Sequence, residues 1–201
     1  MNPPALDAKT IVPFLADIFE RRGAEEYLGE PVTMAEHMLQ SAWFAEREGA
    51  GDALVAAALL HDIGHFTSEF GAYSPDDVED KHHDTAGAEI LAPFFPSVVT
   101  ECVRLHVAAK RYLCASDPSY DAKLSMASRH TLSLQGGPMS ETEIATFRAS
   151  PFYAEAVRVR LWDEAGKVAG MQTRRFSDYA PLLQRVVERH LGSLVSGEKA
   201  P

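Results

Sequence analysis

The sequence predicts an all-α protein, a helical bundle with a metal site in its core. Three observations predict it. Apolar residues recur at helical spacing along nearly the whole chain. Capping and stop residues stand at the ends of those stretches. No pair of alternating segments flanks a hairpin turn.

The elements follow in order. Ile11, Phe14, Leu15, Ile18 and Phe19 form one stripe, with Thr10 as its expected N-cap and Gly23 as its stop. Thr33-Met34-Ala35-Glu36 is a capping box that opens a second helix. Asp52 is expected to cap a third, Ala-rich helix through Leu60 that stops near Gly64. Its small residues let neighbours approach closely, so this helix is expected at the centre. Phe66 to Lys81 reads as a loop. Helices are expected again around His83 to Leu91, Ser97 to Lys110, Tyr120 to Thr131, Glu141 to Phe147, Phe152 to Glu164 and Ser177 to Leu191. Gln135-Gly136-Gly137-Pro138 is a break.

With 201 residues, 46% of them hydrophobic, the chain can bury one sizeable core. The expectation is a single domain over residues 1–201, with its core at about 27–191. The formal net charge of −10 repels nucleic-acid phosphates and anionic lipid, so neither is an expected partner. A small anion is compatible, because a local group of cations overrides the global field. No run of about 20 apolar residues is present to span a membrane. Asp7, Lys9 and Asp17 interrupt any apolar signal segment. Cys102 and Cys114 make neither a disulfide framework nor a zinc pattern. The expected location is the cytoplasm; the oligomeric state is open.

Eight histidines in an acidic helical chain raise the question of which face inward. Helical spacing answers it. His37 shares a face with Met34, Met38 and Ser41; His83 with Gly87, Ile90 and Leu91; His106 with Val99, Cys102 and Val103. Asp163 continues the stripe Phe152, Ala156 and Val159, and His61-Asp62 ends the Ala-rich helix. His130 and His190 lack such support and are expected at the surface. A lone inward histidine is usually a satisfied core residue. Several from separate helices, together with carboxylates that are costly to bury alone, are most simply satisfied by a shared divalent cation. Imidazole and carboxylate suit iron, zinc and similar metals, and a carboxylate can bridge two ions.

His37, His61-Asp62 and Asp163 in this order resemble the H…HD…D signature of the HD superfamily, which holds mainly phosphohydrolases. His83 and His106 between the doublet and the last Asp resemble its dinuclear members. Longer strings resemble the PhnZ-type phosphonate oxygenases: Tyr27-Leu28-Gly29-Glu30, the run from His106 to Leu113, Ser128-Arg129, Gln135 to Met139, and Arg160-Leu161-Trp162-Asp163-Glu164. The likeness runs from about Tyr27 to Lys167.

The resemblance implies a single HD domain with an Fe(II)/Fe(III) pair. It implies cleavage of the carbon–phosphorus bond of a 1-hydroxy-2-(trimethyl)aminoethylphosphonate-like substrate by O2. The products are a carboxylate, glycine or glycine betaine, and inorganic phosphate. On this chain it makes His37, His61 and Asp163 ligands of one iron, Asp62 a bridge, and His83 and His106 ligands of the other. It makes Tyr27 a ligand of the resting state that leaves as substrate enters. His65, Lys110, Ser128 and Arg160 then bind the phosphonate, and Glu30 faces a cationic end.

The residues themselves agree in part. Lys110 lies one turn beyond His106, and Arg160 one turn before Asp163, so two cations flank the metal faces as an anion pocket. Tyr27 and Glu30 precede the capping box, where a loop can act as a lid. Whether the substrate amine is free or trimethylated stays open. Trp43, Phe66, Phe70 and Tyr73 are the aromatic candidates for a trimethylated one. Two other readings stay open too. The same ligands can hold Mn, Co or Zn and hydrolyse a small phosphate ester. A non-catalytic metal-binding protein is the third, although it has no need of Lys110 and Arg160.

Overall fold

The computed structural model describes residues 6–27, 29–67 and 79–196. These form α1 (Ile11–Arg22), α2 (Met34–Arg47), α3 (Asp52–Leu60), α4 (Gly64–Thr67), α5 (His83–Leu91) and α6 (Ser97–Ser116). After them come α7 (Pro118–Lys123), α8 (Met126–Leu134), α9 (Glu141–Arg148), α10 (Tyr153–Ala165) and α11 (Phe176–Ser196). One isolated antiparallel bridge joins Glu26 and Thr33. The all-α expectation holds. No described helix is long and apolar enough to cross a membrane.

The expected capping box closes as read: the Thr33 hydroxyl accepts from Glu36 N and the Glu36 carboxylate accepts from Thr33 N. Other ends differ. Thr10 precedes α1 without capping it; Asp7 receives the Thr10 and Lys9 amides instead. Asp52 is the first residue of α3 rather than its cap, which is Gly51. The helix expected over Tyr120 to Thr131 is two, because the chain turns extended at Leu124 and Ser125 before Ser125 caps α8. Part of the expected loop over Phe66 to Lys81 is the short α4; residues 68–78, with Phe70 and Tyr73, lie outside the described residues.

α3 is central as expected, with Val55 to Leu60 all buried. It packs against α2, α6, α10 and α11. One apolar cluster joins α1, α2, α3, α5 and α11 to the first half of α6; a second joins the far half of α6 to α7, α8 and α9. His106 lies on α6 where the two clusters meet. Burial on this scale, at about 25 cal/mol per Å² of apolar surface, fixes α6 as a rigid platform.

Two close approaches bring separated residues together. A Cβ on Gly64 would lie 1.8 Å from the His83 carbonyl oxygen, so glycine lets α4 and α5 touch beside Asp62. A Cβ on Gly166 would lie 2.6 Å from Ser41 Oγ, so glycine lets the end of α10 lie on α2. Gly64→Ala is therefore expected to lower stability by roughly 3 kcal/mol, because the clash is with backbone and not with a movable side chain. An unchanged chemical-denaturation midpoint would show that α4 and α5 do not depend on this contact.

Candidate metal centre

Four histidines and two aspartates from α2, α5, α6, α10 and the end of α3 converge in the core, and all are nearly inaccessible to solvent. They fall into two groups that share Asp62: His37, His61 and Asp62, and Asp62, His83 and His106. Asp62 Oδ2 lies 3.5 Å from His37 Nε2 and 3.4 Å from His61 Nε2. Its other oxygen lies 3.4 Å from His83 Nε2 and 3.3 Å from His106 Nε2. Asp163 Oδ1 lies 3.4 Å from His37 Nε2, on the first group.

The tautomers decide what this arrangement can hold. A carbonyl oxygen only accepts, so a ring nitrogen bonded to one must carry the hydrogen. His37 Nδ1 donates to Gly166 O at 2.9 Å and His61 Nδ1 to Ala58 O at 2.8 Å. Both Nε2 atoms then present lone pairs to each other across 3.0 Å. Neutral rings cannot hydrogen-bond in that way, so a proton or a metal cation must sit among them. His106 Nδ1 donates to Val103 O at 2.6 Å, and its Nε2 lies 3.1 Å from that of His83. Asp62 Oδ2 and Asp163 Oδ1 are buried without a hydrogen-bond partner. Backbone-oriented imidazoles with unsatisfied carboxylate oxygens fit a metal on each side of Asp62.

The charges are mutually dependent. Burial pushes the Asp163 carboxyl up, but Arg160, then His61 and His37, hold it well below the usual carboxylate range. Asp62 is also held low, because the imidazoles, His61 first among them, outweigh its burial. Burial alone would lower the His61 imidazole, yet Asp62 and Asp163 lift it to about 9.

A small cavity of about 30 Å³ opens onto this centre. Tyr27, Glu30, Asp62, His65, His83, His106, Lys110, Ser128, Arg160 and Asp163 line it, while His37 and His61 lie just behind Asp62. The structure thus brings every residue singled out for the site to one place. Trp43 and Phe66 do not line the cavity: Trp43 meets Phe44 edge-on and lies under Arg47, and Phe66 meets Phe19 edge-on and lies under Arg22. His130 and His190 are half-buried rather than exposed, on the flanks of packed helices, and neither lines it.

The Tyr27 ring stacks on His37 at 4.0 Å. Burial, then Asp62 and Asp163, raise its phenol well above the ordinary value. The His65 ring stacks on His83 at 4.0 Å, and burial holds it well below its ordinary value. Lys110 donates to Thr131 Oγ1 at 2.9 Å; burial, then Arg160, lower it to about 7. Arg160 is more committed than its helical position indicated. Its Nε donates to Tyr120 OH at 2.6 Å, and its other nitrogens pair with Asp163 and Glu164. It holds one Asp163 oxygen while leaving the other toward His37.

Sequence reading missed Thr131, Tyr120, Glu164 and Lys167. Thr131 lines the cavity and holds Lys110; Tyr120 and Glu164 hold Arg160; and Lys167 stands past the end of α10, where helical periodicity is lost. Lys167 Nζ donates to Ser128 Oγ at 2.8 Å and to Glu164 at 3.2 Å, and lies 3.5 Å from Glu30.

Comparison with known proteins adds an independent line. The HD domain model matches residues 34–164. A [1-hydroxy-2-(trimethylamino)ethyl]phosphonate dioxygenase (glycine-betaine-forming) of Leisingera caerulea is 57% identical over 188 residues, 94% of this chain and 96% of the relative. A hydroxymethylphosphonate dioxygenase of Gimesia maris is 42% identical over 165 residues, 82% of each chain. An uncharacterised protein of Acanthamoeba polyphaga mimivirus is 30% identical over 175 residues, 84% of this chain and 78% of the relative.

The pH dependence of metal uptake follows from His61. Below about 9, protein groups alone keep a proton on this ring, and a metal at Nε2 must displace it. Raising the pH removes the competitor, so affinity is expected to rise about tenfold per pH unit between 6.5 and 8.5 for each proton released. Competition titration with a chelator checks it. Affinity that is flat or falls over this range would show that no proton is held at the His37–His61 contact.

Proposed function

The chain belongs to the HD-domain family, among its phosphonate dioxygenases, and from that premise we propose that it cleaves the carbon–phosphorus bond of [1-hydroxy-2-(trimethylamino)ethyl]phosphonate with O2. The products are glycine betaine and inorganic phosphate. The carbon gains one oxygen and the phosphorus one, and the four electrons given up by the substrate reduce the O2, so no external reductant is consumed.

The observation that carries the reading is the placement of Asp62. It sits between two histidine pairs at the floor of a pocket whose walls carry cations. His37, His61 and Asp163 would hold one iron and His83 and His106 the other, with Asp62 shared between them. Tyr27 completes the resting centre. When bound, a mixed-valent Fe(II)/Fe(III) pair supplies the redox chemistry with O2.

The chain's own residues bind and orient the substrate. Lys110, Ser128 and His65 receive the phosphonate, with Arg160 behind them. A phosphonate beside Lys110 stabilises its charged form, which burial opposes. Charge-assisted bonds here also steady the departing phosphate. Glu30 faces the trimethylammonium end. A cavity of about 30 Å³ is far smaller than the substrate, so side chains that line it, Tyr27 and Glu30 among them, shift as the substrate enters. Tyr27 then leaves its stack on His37, and the same movement carries Glu30.

The test is to offer this phosphonate to the iron-loaded protein in air. Phosphate and glycine betaine should appear in equal amounts, with one O2 consumed for each. Phosphate release from a simple phosphate ester without O2, and none from the phosphonate, would establish a hydrolase instead. Two substitutions separate the pocket from the centre. Lys110→Ala is expected to weaken substrate binding roughly ten- to a hundredfold and keep its iron. Arg160→Ala should lose iron as well, because Asp163 loses the partner that orients it. Full iron in Arg160→Ala by metal analysis would remove that orienting role.

A further inference from the structure

The position of Lys167 carries an inference that rests on the phosphonate reading and goes beyond it. We propose that Lys167 is a specificity-determining residue, whose ammonium neutralises Glu30 in the closed pocket and transfers to the phosphonate when a cationic substrate takes over Glu30.

The backbone on both sides of Lys167 is fastened to α2. Gly166 O accepts from His37 Nδ1 at 2.9 Å. Gln40, itself 1% exposed, clamps Val168 twice, accepting from its amide and donating to its carbonyl, each at 2.9 Å. The Cα of Lys167 therefore keeps its place relative to the centre, and only its side chain is free to turn.

The ammonium stands between the two ends of the proposed substrate. It is 2.8 Å from the hydroxyl of Ser128 and 3.5 Å from Glu30 Oε1. The Glu30 side chain is only 9% exposed, and its other described partner is the neutral Ser125 hydroxyl. While Lys167 stays there, the Glu30 charge is compensated and attracts a second cation weakly. A quaternary ammonium donates no hydrogen bonds, so its claim on Glu30 is charge alone. It succeeds if Lys167 leaves, and a phosphonate at Ser128 gives the ammonium a dianionic partner it can reach by turning the side chain. Glu164, which also holds Lys167, keeps its pairing with Arg160.

An uncharged substrate offers no such exchange. Drawing Lys167 to its phosphonate strands the Glu30 carboxylate with no cation, and leaving Lys167 in place forfeits a phosphonate contact. Glu30 thus discriminates against phosphonates that lack a positive end, and Lys167 sets how strongly.

The probes are [2-(trimethylamino)ethyl]phosphonate and its uncharged carbon isostere, (3,3-dimethylbutyl)phosphonate. Neither has the 1-hydroxyl that the reaction needs. Binding of each to the iron-loaded protein is measured by calorimetry under argon. In Lys167→Met the isostere is expected to keep its affinity within about threefold, because wild-type Lys167 stays on Glu30 and does not reach its phosphonate. The cationic probe should bind several-fold tighter, because Glu30 is already free, so the preference for it rises. Lys167→Arg should keep the preference within about threefold of wild type, and in a Glu30→Gln background Lys167→Met should weaken both probes alike. An unchanged preference in Lys167→Met, or an isostere that loses tenfold or more, overturns the exchange. A wild-type protein that binds neither probe overturns the phosphonate reading beneath it as well.

Discussion

A single carboxylate, Asp62, faces two pairs of imidazoles, one on each oxygen, and most of the architecture serves that arrangement. The Nε2 atoms of His37 and His61, and of His83 and His106, lie about 3 Å apart, and backbone carbonyls fix the rings of His37, His61 and His106. No neutral set of side chains is stable in that geometry. The surrounding helices must therefore be rigid enough to hold it. Apolar packing about α3 and α6 supplies the rigidity, and Gly64 and Gly166 supply the two close approaches that packing alone would prevent.

The electrostatics run on two scales. The chain as a whole is acidic, with a net charge of −10, and its surface repels anions. The pocket nevertheless gathers cations locally, Lys110 and Arg160 in its lining and Lys167 beside them. These cations are not free positive charge. Arg160 is shared between Asp163 and Glu164, Lys167 between Glu164 and Glu30, and Lys110 is lowered to about 7 by burial and Arg160. An anion entering such a pocket rearranges existing pairs instead of meeting bare charge.

Much of this was legible in the sequence because helices repeat. Periodicity placed His37, His83, His106 and Asp163 on buried faces, and the capping box at Thr33 fixed where α2 begins. The substrate-facing roles came from likeness to a family, which carries positions that no periodicity marks. The rest depends on contacts between segments far apart in sequence. Tyr120 reaches Arg160 only because Leu124 and Ser125 break what reads as one helix into α7 and α8. Asp7 outcompetes Thr10 for the start of α1 through a turn that side-chain propensity alone does not choose. Lys167 has no helical neighbour to announce it, since its position is set by Gln40, on another helix.

The double clamp of Gln40 on Val168 also divides the α10–α11 connection into two stretches with different evolutionary freedom. Before the clamp, Gly166 and Lys167 form a ruler of fixed length between Asp163 and α2, where one inserted or deleted residue would shift the centre out of register. Beyond it, residues 169–175 are mostly exposed, tied back to α2 by the Arg174–Glu46 pair at the surface, and lead on to α11. Length variation, added loops and fused partners can accumulate there without reaching the chemistry, so lineages of this fold can diversify their exteriors while the interior stays in step.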